Sequence, residues 1–234
     1  MRLELAFPGR YTARPSQEEL DAVVAGLLMR GWWWTTLCLV RVVGAALWGL
    51  RTVGQARVPR RGGVIIASNH QSYLDPPFVA ASLPRETSFM ARRSLFEIPL
   101  LGRIIVACNA FPIERNTGDV RGVKSAIDRL KGGSALLLFP EGTRSRDGRI
   151  GPLKGGIRMI AERAGVPVVP VLVDGAFRVW PKGRLLPRVG GQVWIRFGKP
   201  VPIEGSDEDF AGRLRSAFEE IRKEARLRAG NGEE

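Results

Sequence analysis

Val64-Ile65-Ile66-Ala67-Ser68-Asn69-His70-Gln71-Ser72-Tyr73-Leu74-Asp75-Pro76-Pro77 decides the fold. The apolar run Val64 to Ala67 follows Gly62-Gly63 and reads as a short buried strand. His70, the only histidine in the chain, then lies just past a strand end, where open α/β sheets place their sites. On an unbroken helix five residues turn through about 500°, so His70 and Asp75 would point apart. They face each other only if the chain bends between them. Pro76 and Pro77 favour such a bend, because proline suits the first helical position and restricts the residue before it. A carboxylate beside an imidazole fixes its tautomer, and the imidazole can then take a proton from a hydroxyl. On residue types alone a second reading stands beside this one: Asp75 as a helix N-cap and His70 as an ordinary loop histidine.

Further along, the apolar runs Thr87 to Met90, Ala110 to Ile113, Ala135 to Phe139 and Val166 to Val173 read as strands. Ala135 to Phe139 is continuously apolar, the pattern of a buried parallel strand. Pro167 and Pro170 predict an edge or bulged position for Val166 to Val173. Val193 to Phe197 alternates like a half-buried strand. Helices are predicted over Asp119 to Lys131, from Ile157 to Arg163, and over Asp207 to Arg228. In the last, Phe210, Leu214, Phe218, Ile221 and Ala225 form one face, and Ser206 with Asp209 resembles a capping box. The fold class predicted is α/β, a mixed, largely parallel sheet flanked by helices.

Four stretches, in order, resemble the motifs of the glycerolipid acyltransferases, in particular the 1-acylglycerol-3-phosphate acyltransferases. Asn69 to Asp75 resembles the family's His-x4-Asp motif. Ala110-Phe111-Pro112-Ile113-Glu114-Arg115 resembles the second, Phe139-Pro140-Glu141-Gly142-Thr143-Arg144-Ser145 the third, and Val168-Val169-Pro170-Val171 the fourth. Together they span about half of the chain, Val64 to Val173. The resemblance implies the fold of that family and transfer of a fatty acyl chain from acyl-CoA or acyl-carrier protein to the hydroxyl of 1-acylglycerol 3-phosphate, giving phosphatidic acid. It implies His70 as general base and Asp75 as its partner. It also implies acceptor binding by Arg92, Arg115, Glu141, Gly142, Thr143, Arg144 and Lys154, with no metal and no cofactor beyond the donor substrate. Where the family often has Ala-Lys-x-Glu-Leu, this chain has Ala91-Arg92-Arg93-Ser94-Leu95. That departure leaves another lysolipid open as acceptor. From the residues themselves, Glu141 has three readings: a hydroxyl ligand, an ion-pair partner of Arg144 or Arg115, or a brace for its own loop.

Composition bounds the partners. A chain of 234 residues holds one full core, and its formal net charge of +13 calls for an anionic surface or substrate. Arginine supplies most of the charge, and its planar fork suits phosphate. No fold or aromatic platform for nucleic acid is recognisable, so nucleic acid is not an expected partner. A non-enzymatic basic membrane-binding protein is the reading from a different class, and it would have no use for His70. Cys38 and Cys108 suggest no disulfide framework and point to a reducing setting. One histidine and two distant cysteines build no conventional zinc site. Nucleotide-binding glycine loops are not supported either.

Residues 1–19 read as a poorly ordered polar lead-in, and the tail from Gly230 as frayed. Leu20 to Leu50 is apolar, with tryptophans at 32, 33, 34 and 48 and Arg41 near its centre. Arg41 makes a span costly by about 2.5–3.5 kcal/mol. One amphipathic helix, or two with a break at Gly31, lying in one leaflet with the tryptophans at the interface, is the preferred reading. A single span and a buried hairpin are the other arrangements its length allows. Arg51, Arg57, Arg60 and Arg61 would then meet anionic headgroups or act as a solvated linker. The expected organisation is a membrane-associating segment and basic linker over 1–61, then a catalytic domain over 62–234. The expected place is the cytoplasmic face of the cell membrane, peripheral or monotopic.

Overall fold

The computed structural model describes residues 17–107, 109–113, 119–154 and 156–230. The expected lead-in over 1–19 lies almost wholly outside the described residues, as do the tail beyond Gly230, Cys108, Glu114 and Arg115.

The chain runs α1 (Gln17–Trp48), β1 (Arg51–Val53), a 3-10 turn (Gln55–Arg57), β2 (Val64–Ser68) and α2 (Asp75–Ser82). Then come β3 (Thr87–Arg92), α3 (Arg93–Phe96), α4 (Pro99–Ala107), β4 (Ala110–Ile113), α5 (Val120–Lys131) and β5 (Ala135–Leu138). It closes with α6 (Gly156–Ala164), β6 (Val168–Asp174), α7 (Ala176–Val179), β7 (Trp194–Phe197) and α8 (Asp207–Gly230). The strands form one seven-stranded sheet in the order β1-β7-β6-β2-β5-β3-β4. Among these seven described strands only the β6–β7 pair is antiparallel. This is the mixed, largely parallel sheet the sequence predicts.

The two-residue period of the strands builds both cores. Ile65, Ala67, Leu136 and Val168 face α5, α6 and α8, where Ile127, Ile160, Leu214 and Phe218 are buried. Val64, Ile66, Leu137 and Val169 face the opposite way, against Phe78 and Val79 of α2 and Trp48 of α1. The apolar face of α8 is the one its periodicity predicts. Its capping box forms: Asp209 N–H donates to Ser206 Oγ at 3.1 Å, and Ser206 N–H to Asp209 Oδ2 at 3.0 Å.

Several expectations are corrected. β6 is an interior strand, flanked by β7 and β2. Pro170 is tolerated there for a reason of register. Ile65 N–H donates to Pro167 O at 3.0 Å, and along a parallel pair alternate residues face the neighbour. The Pro170 nitrogen therefore points away from β2, to the side where β7 has already ended at Phe197. Gly198 N–H donates to Pro170 O there at 2.8 Å. A Cβ on Gly198 would stand 2.8 Å from the proline ring. β7 is buried along its whole length rather than half-buried: Ile195 and Phe197 enter the core beside α2, and Trp194 on the opposite face is covered by the guanidinium groups of Arg51 and Arg196.

Neither is there a break at Gly31. α1 is one helix of 32 residues. Its inner stripe is Trp33, Leu37, Gly44 and Trp48, buried against α2 and the sheet. A Cβ at Gly44 would lie 2.8 Å from Leu50 Cδ2 and 3.3 Å from the Phe78 ring, so glycine lets the helix come close. Trp33 and Trp48 are therefore core residues, not interface tryptophans, whereas Trp32 and Trp34 are exposed. The basic stretch after α1 is likewise no plain linker: β1 pairs with β7, and Arg57 Nη1 donates to Phe197 O at 2.8 Å. The sheet thus takes in residues on both sides of position 61.

Candidate active site

The loops at the C-terminal ends of β2, β5 and β3 converge because those strands run parallel. His70 leaves β2 by one residue and is the first titratable side chain past the sheet. The chain then folds back through Gln71 to Leu74, so that Asp75 starts α2 facing it. His70 Nδ1 and Asp75 Oδ2 lie 2.8 Å apart. The same oxygen accepts N–H bonds from Gln71 at 2.6 Å and Ser72 at 2.7 Å. These donors are upstream of Asp75, in the bend. Leu74 occupies the N-cap position, and Asp75 is the first helical residue, with Pro76 and Pro77 behind it. Asp75 is therefore not an ordinary N-cap, which would bond the helix's own first amides. It ties the bend to the imidazole.

Asp75 is fully buried, and this burial pushes its carboxyl above the usual value of 3.8, against the lowering from His70 and the two N–H groups. Among the described residues, its buried Oδ1 has no hydrogen-bond partner. The imidazole is stacked on Phe139 at 4.0 Å between centroids. Among the described residues, Nε2 has no hydrogen-bond partner. An imidazole held on one nitrogen with the other unengaged is the arrangement a general base needs.

Glu141 lies 6% exposed, and both its oxygens serve the backbone. His70 N–H donates to Oε1 at 2.8 Å, and Gly151 N–H to Oε2 at 2.9 Å. These bonds fit the reading of Glu141 as a brace; among the described residues it makes no ion pair with Arg144, and Arg115 lies outside them. Burial raises its carboxyl above the usual 4.5, opposed by those amides. Ser145 N–H returns a bond to His70 O at 2.7 Å, so the loop after β5 grips His70 on both sides of its backbone. Gly142 turns that loop at φ 67°, where a Cβ would stand 3.2 Å from Lys154 Nζ.

Arg144 lies over the Tyr73 ring, with Cζ 3.5 Å from its centroid, and among the described residues its buried Nη1 has no hydrogen-bond partner. Lys154 is exposed beside Gly142, and Thr143 is exposed on the same turn. The structure thus brings His70, Asp75, Glu141, Gly142, Thr143, Arg144 and Lys154 to one loop cluster. Arg92 is exposed at the end of β3, on the same edge of the sheet and two strands from β2. Arg115 lies outside the described residues. Among the described residues, no group of acidic, histidine or cysteine side chains could hold a metal ion.

Other contributors were not singled out from the sequence. Phe139 forms the wall behind His70, and Tyr73 the floor under Arg144. Asn69 locks the bend to β6 through both backbone groups of Val173, at 3.0 and 2.7 Å. Their signal is their place within the two motifs. What each touches lies far along the chain.

The sequence model of the family described as Acyltransferase matches residues 49–174. A chloroplastic 1-acyl-sn-glycerol-3-phosphate acyltransferase of Brassica napus is 31% identical over 170 residues, 72% of this chain and 48% of that protein. A 1-acyl-sn-glycerol-3-phosphate acyltransferase of Streptococcus pneumoniae is 31% identical over 171 residues, 69% of this chain and 61% of that one. The chain spans about half the length of the plant relatives it matches, 48% of the Brassica napus protein and 48% of one from Arabidopsis thaliana. The crystal structure of the 1-acyl-sn-glycerophosphate acyltransferase PlsC from Thermotoga maritima superposes with a TM-score of 0.72 and 26% identity. That superposition covers 91% of this chain and 84% of the other.

Proposed function

The chain belongs to the acyltransferase family, and from that premise we propose that it acylates the free hydroxyl of 1-acylglycerol 3-phosphate, forming phosphatidic acid for phospholipid synthesis. The observation that carries this is the His70 Nδ1 to Asp75 Oδ2 contact of 2.8 Å at the edge of a parallel sheet. The acceptor brings its own hydroxyl, so no protein nucleophile is required. His70 Nε2 takes the hydroxyl proton as the oxygen attacks the thioester carbonyl carbon. Asp75 stabilises the imidazolium that forms. When the tetrahedral intermediate collapses, the C–S bond breaks and the imidazolium returns the proton to the departing thiolate.

Arg144 is held ready for the acceptor phosphate. A buried guanidinium nitrogen with no partner among the described residues is costly, and an anion removes the cost. Lys154, Arg92 and Arg115 complete the cationic set, with Gly142 and Thr143 forming the turn on which the acceptor rests. Glu141 acts through the backbone of His70. The donor is acyl-CoA or acyl-carrier protein, either of which presents a thioester, and no other cofactor enters. The acceptor assignment is supported by the names of the relatives.

The site works at a bilayer surface on the cytoplasmic face, held by α1 without crossing. Leu39, Val42, Val43, Leu47, Trp32 and Trp34 form its outer face, and no described helix is long and apolar enough to span. A helix apolar on both faces packs on both, here against α2 and against lipid.

The test is acylation by the purified full chain of a panel of lysolipids, with acyl-CoA and acyl-carrier protein as parallel donors. Phosphatidic acid as the main product is the expected result. Acylation of another lysolipid in its place would reject the acceptor, and no transfer with either donor would reject the activity.

A further inference from the structure

Away from the candidate site, the loop between α7 and β7 exposes Leu185, Leu186 and Val189 at 88%, 69% and 75%. One exposed aliphatic residue needs no explanation, but a cluster of them on a single loop does. The loop is well tied at its base. Arg188 N–H donates to Val179 O at 2.9 Å, and Trp180 Nε1 to Arg184 O at 3.0 Å. Its far end is fastened to α1, where Gly190 N–H donates to Leu47 O at 2.9 Å and Trp48 Nε1 to Arg188 O at 2.6 Å. Leu47 belongs to the exposed apolar face of α1, so this bond brings the end of the loop beside that face.

The charge is one-sided. Between Trp180 and Gln192 stand Lys182, Arg184 and Arg188, with no aspartate or glutamate. The start of the loop also borders the site. Trp180 O accepts from Ser72 Oγ at 2.9 Å and from Tyr73 N–H at 3.2 Å. The Trp180 ring lies 5.2 Å from that of Tyr73, on which Arg144 rests.

We propose that residues 182–191 form a second lipid-contacting element. Leu185, Leu186 and Val189 enter the boundary between headgroups and acyl chains of an anionic phospholipid bilayer, and Lys182, Arg184 and Arg188 meet its phosphates. The proposal rests on the reading of α1 as the face that meets lipid, and extends that face to a segment distant in sequence. A protein partner fits less well, because alternating aliphatic and cationic side chains around a small protrusion match the layered chemistry of a bilayer. Contact on both sides would fix the tilt of the molecule and present Tyr73 and Arg144 at headgroup depth.

The experiment is co-sedimentation of the full chain with vesicles of phosphatidylcholine and phosphatidylglycerol. It compares Leu185→Ser with Leu186→Ser combined, Leu39→Ser with Val42→Ser combined, and all four together. Circular dichroism checks folding, and sedimentation velocity checks self-association. The loop variant should bind about tenfold less tightly while folding as the wild type does. Unchanged binding by the loop variant, alone and in the α1-variant background, would overturn the proposal. So would a loss of self-association with vesicle binding intact, which would make the loop a contact between copies. Unchanged binding by the α1 variant would instead reject the reading of α1.

Discussion

Asp75 is a carboxylate with no exposure, and its burial outweighs the bonds it accepts, so its folded pKa is raised. The sign of the linkage follows. Above the unfolded value the folded state holds the proton more tightly, so stability falls as pH rises from about 3.8 through the raised value. Asparagine does not titrate. Asp75→Asn should therefore gain stability relative to the wild type as pH rises through that interval, by urea titration at several pH values. The opposite trend would mean that His70 and the bend amides dominate over burial. Activity should move the other way and fall about 10²–10⁴-fold, because an amide cannot stabilise an imidazolium. Glu141 gives a second case. Glutamine keeps one acceptor for two backbone donors, so Glu141→Gln should loosen His70 and lower kcat more than it raises KM for the lysolipid. A pure KM effect would indicate direct contact with substrate. Arg144→Ala should raise KM for the phosphate-bearing acceptor while leaving KM for the acyl thioester nearly unchanged, and an equal effect on an acceptor without phosphate would contradict its role. At this scale the pairing of His70 with Asp75 is only half legible: the two prolines favour a bend, the residues alone leave a helix cap and a loop histidine standing beside it, and the resemblance to the family decides between them. The grip of Glu141 on His70 is not legible, since it joins residues 71 apart in the chain.

Elements were legible where periodicity reports one-sided burial, as in α5 and α8. They were misread where a second neighbour covers the other side. β7 alternates like a half-buried strand but has partners on both edges and cover on both faces. The prolines of β6 pointed to an edge, yet register turns the Pro170 nitrogen to a place where no donor is needed. β1 is three residues long, too short for any period to show. In α1 the run of tryptophans looked uniform, but helical spacing sends Trp33 inward and Trp32 outward. That contrast is testable. Trp33→Ala should cost about 3–5 kcal/mol in urea unfolding, whereas Trp32→Ala should stay within about 0.5 kcal/mol and weaken vesicle binding instead. Equal destabilisation by both would mean that the outer face of α1 is packed against protein. Removing the whole segment would be a poor test of anchoring, because it takes away Trp48 and an edge strand of the sheet.

For the whole molecule, parallel strands deliver the loops after β2, β5 and β3 to one edge, and the long apolar helix packs on α2, which begins with Asp75. The site and the apolar outer surface are thereby fixed to one another through a single short helix. Under the proposed membrane face, the formal net charge of +13 adds to its hold on an anionic surface, and added salt should weaken vesicle binding. The proposed function gives His70 one role, that of the base which activates the acceptor hydroxyl. Its most direct test is the single-turnover rate of acyl transfer to 1-acylglycerol 3-phosphate by wild type and His70→Ala, at matched folding and vesicle binding. A fall of about 10²–10⁴-fold in the variant is predicted, and a rate near that of the wild type would contradict the account.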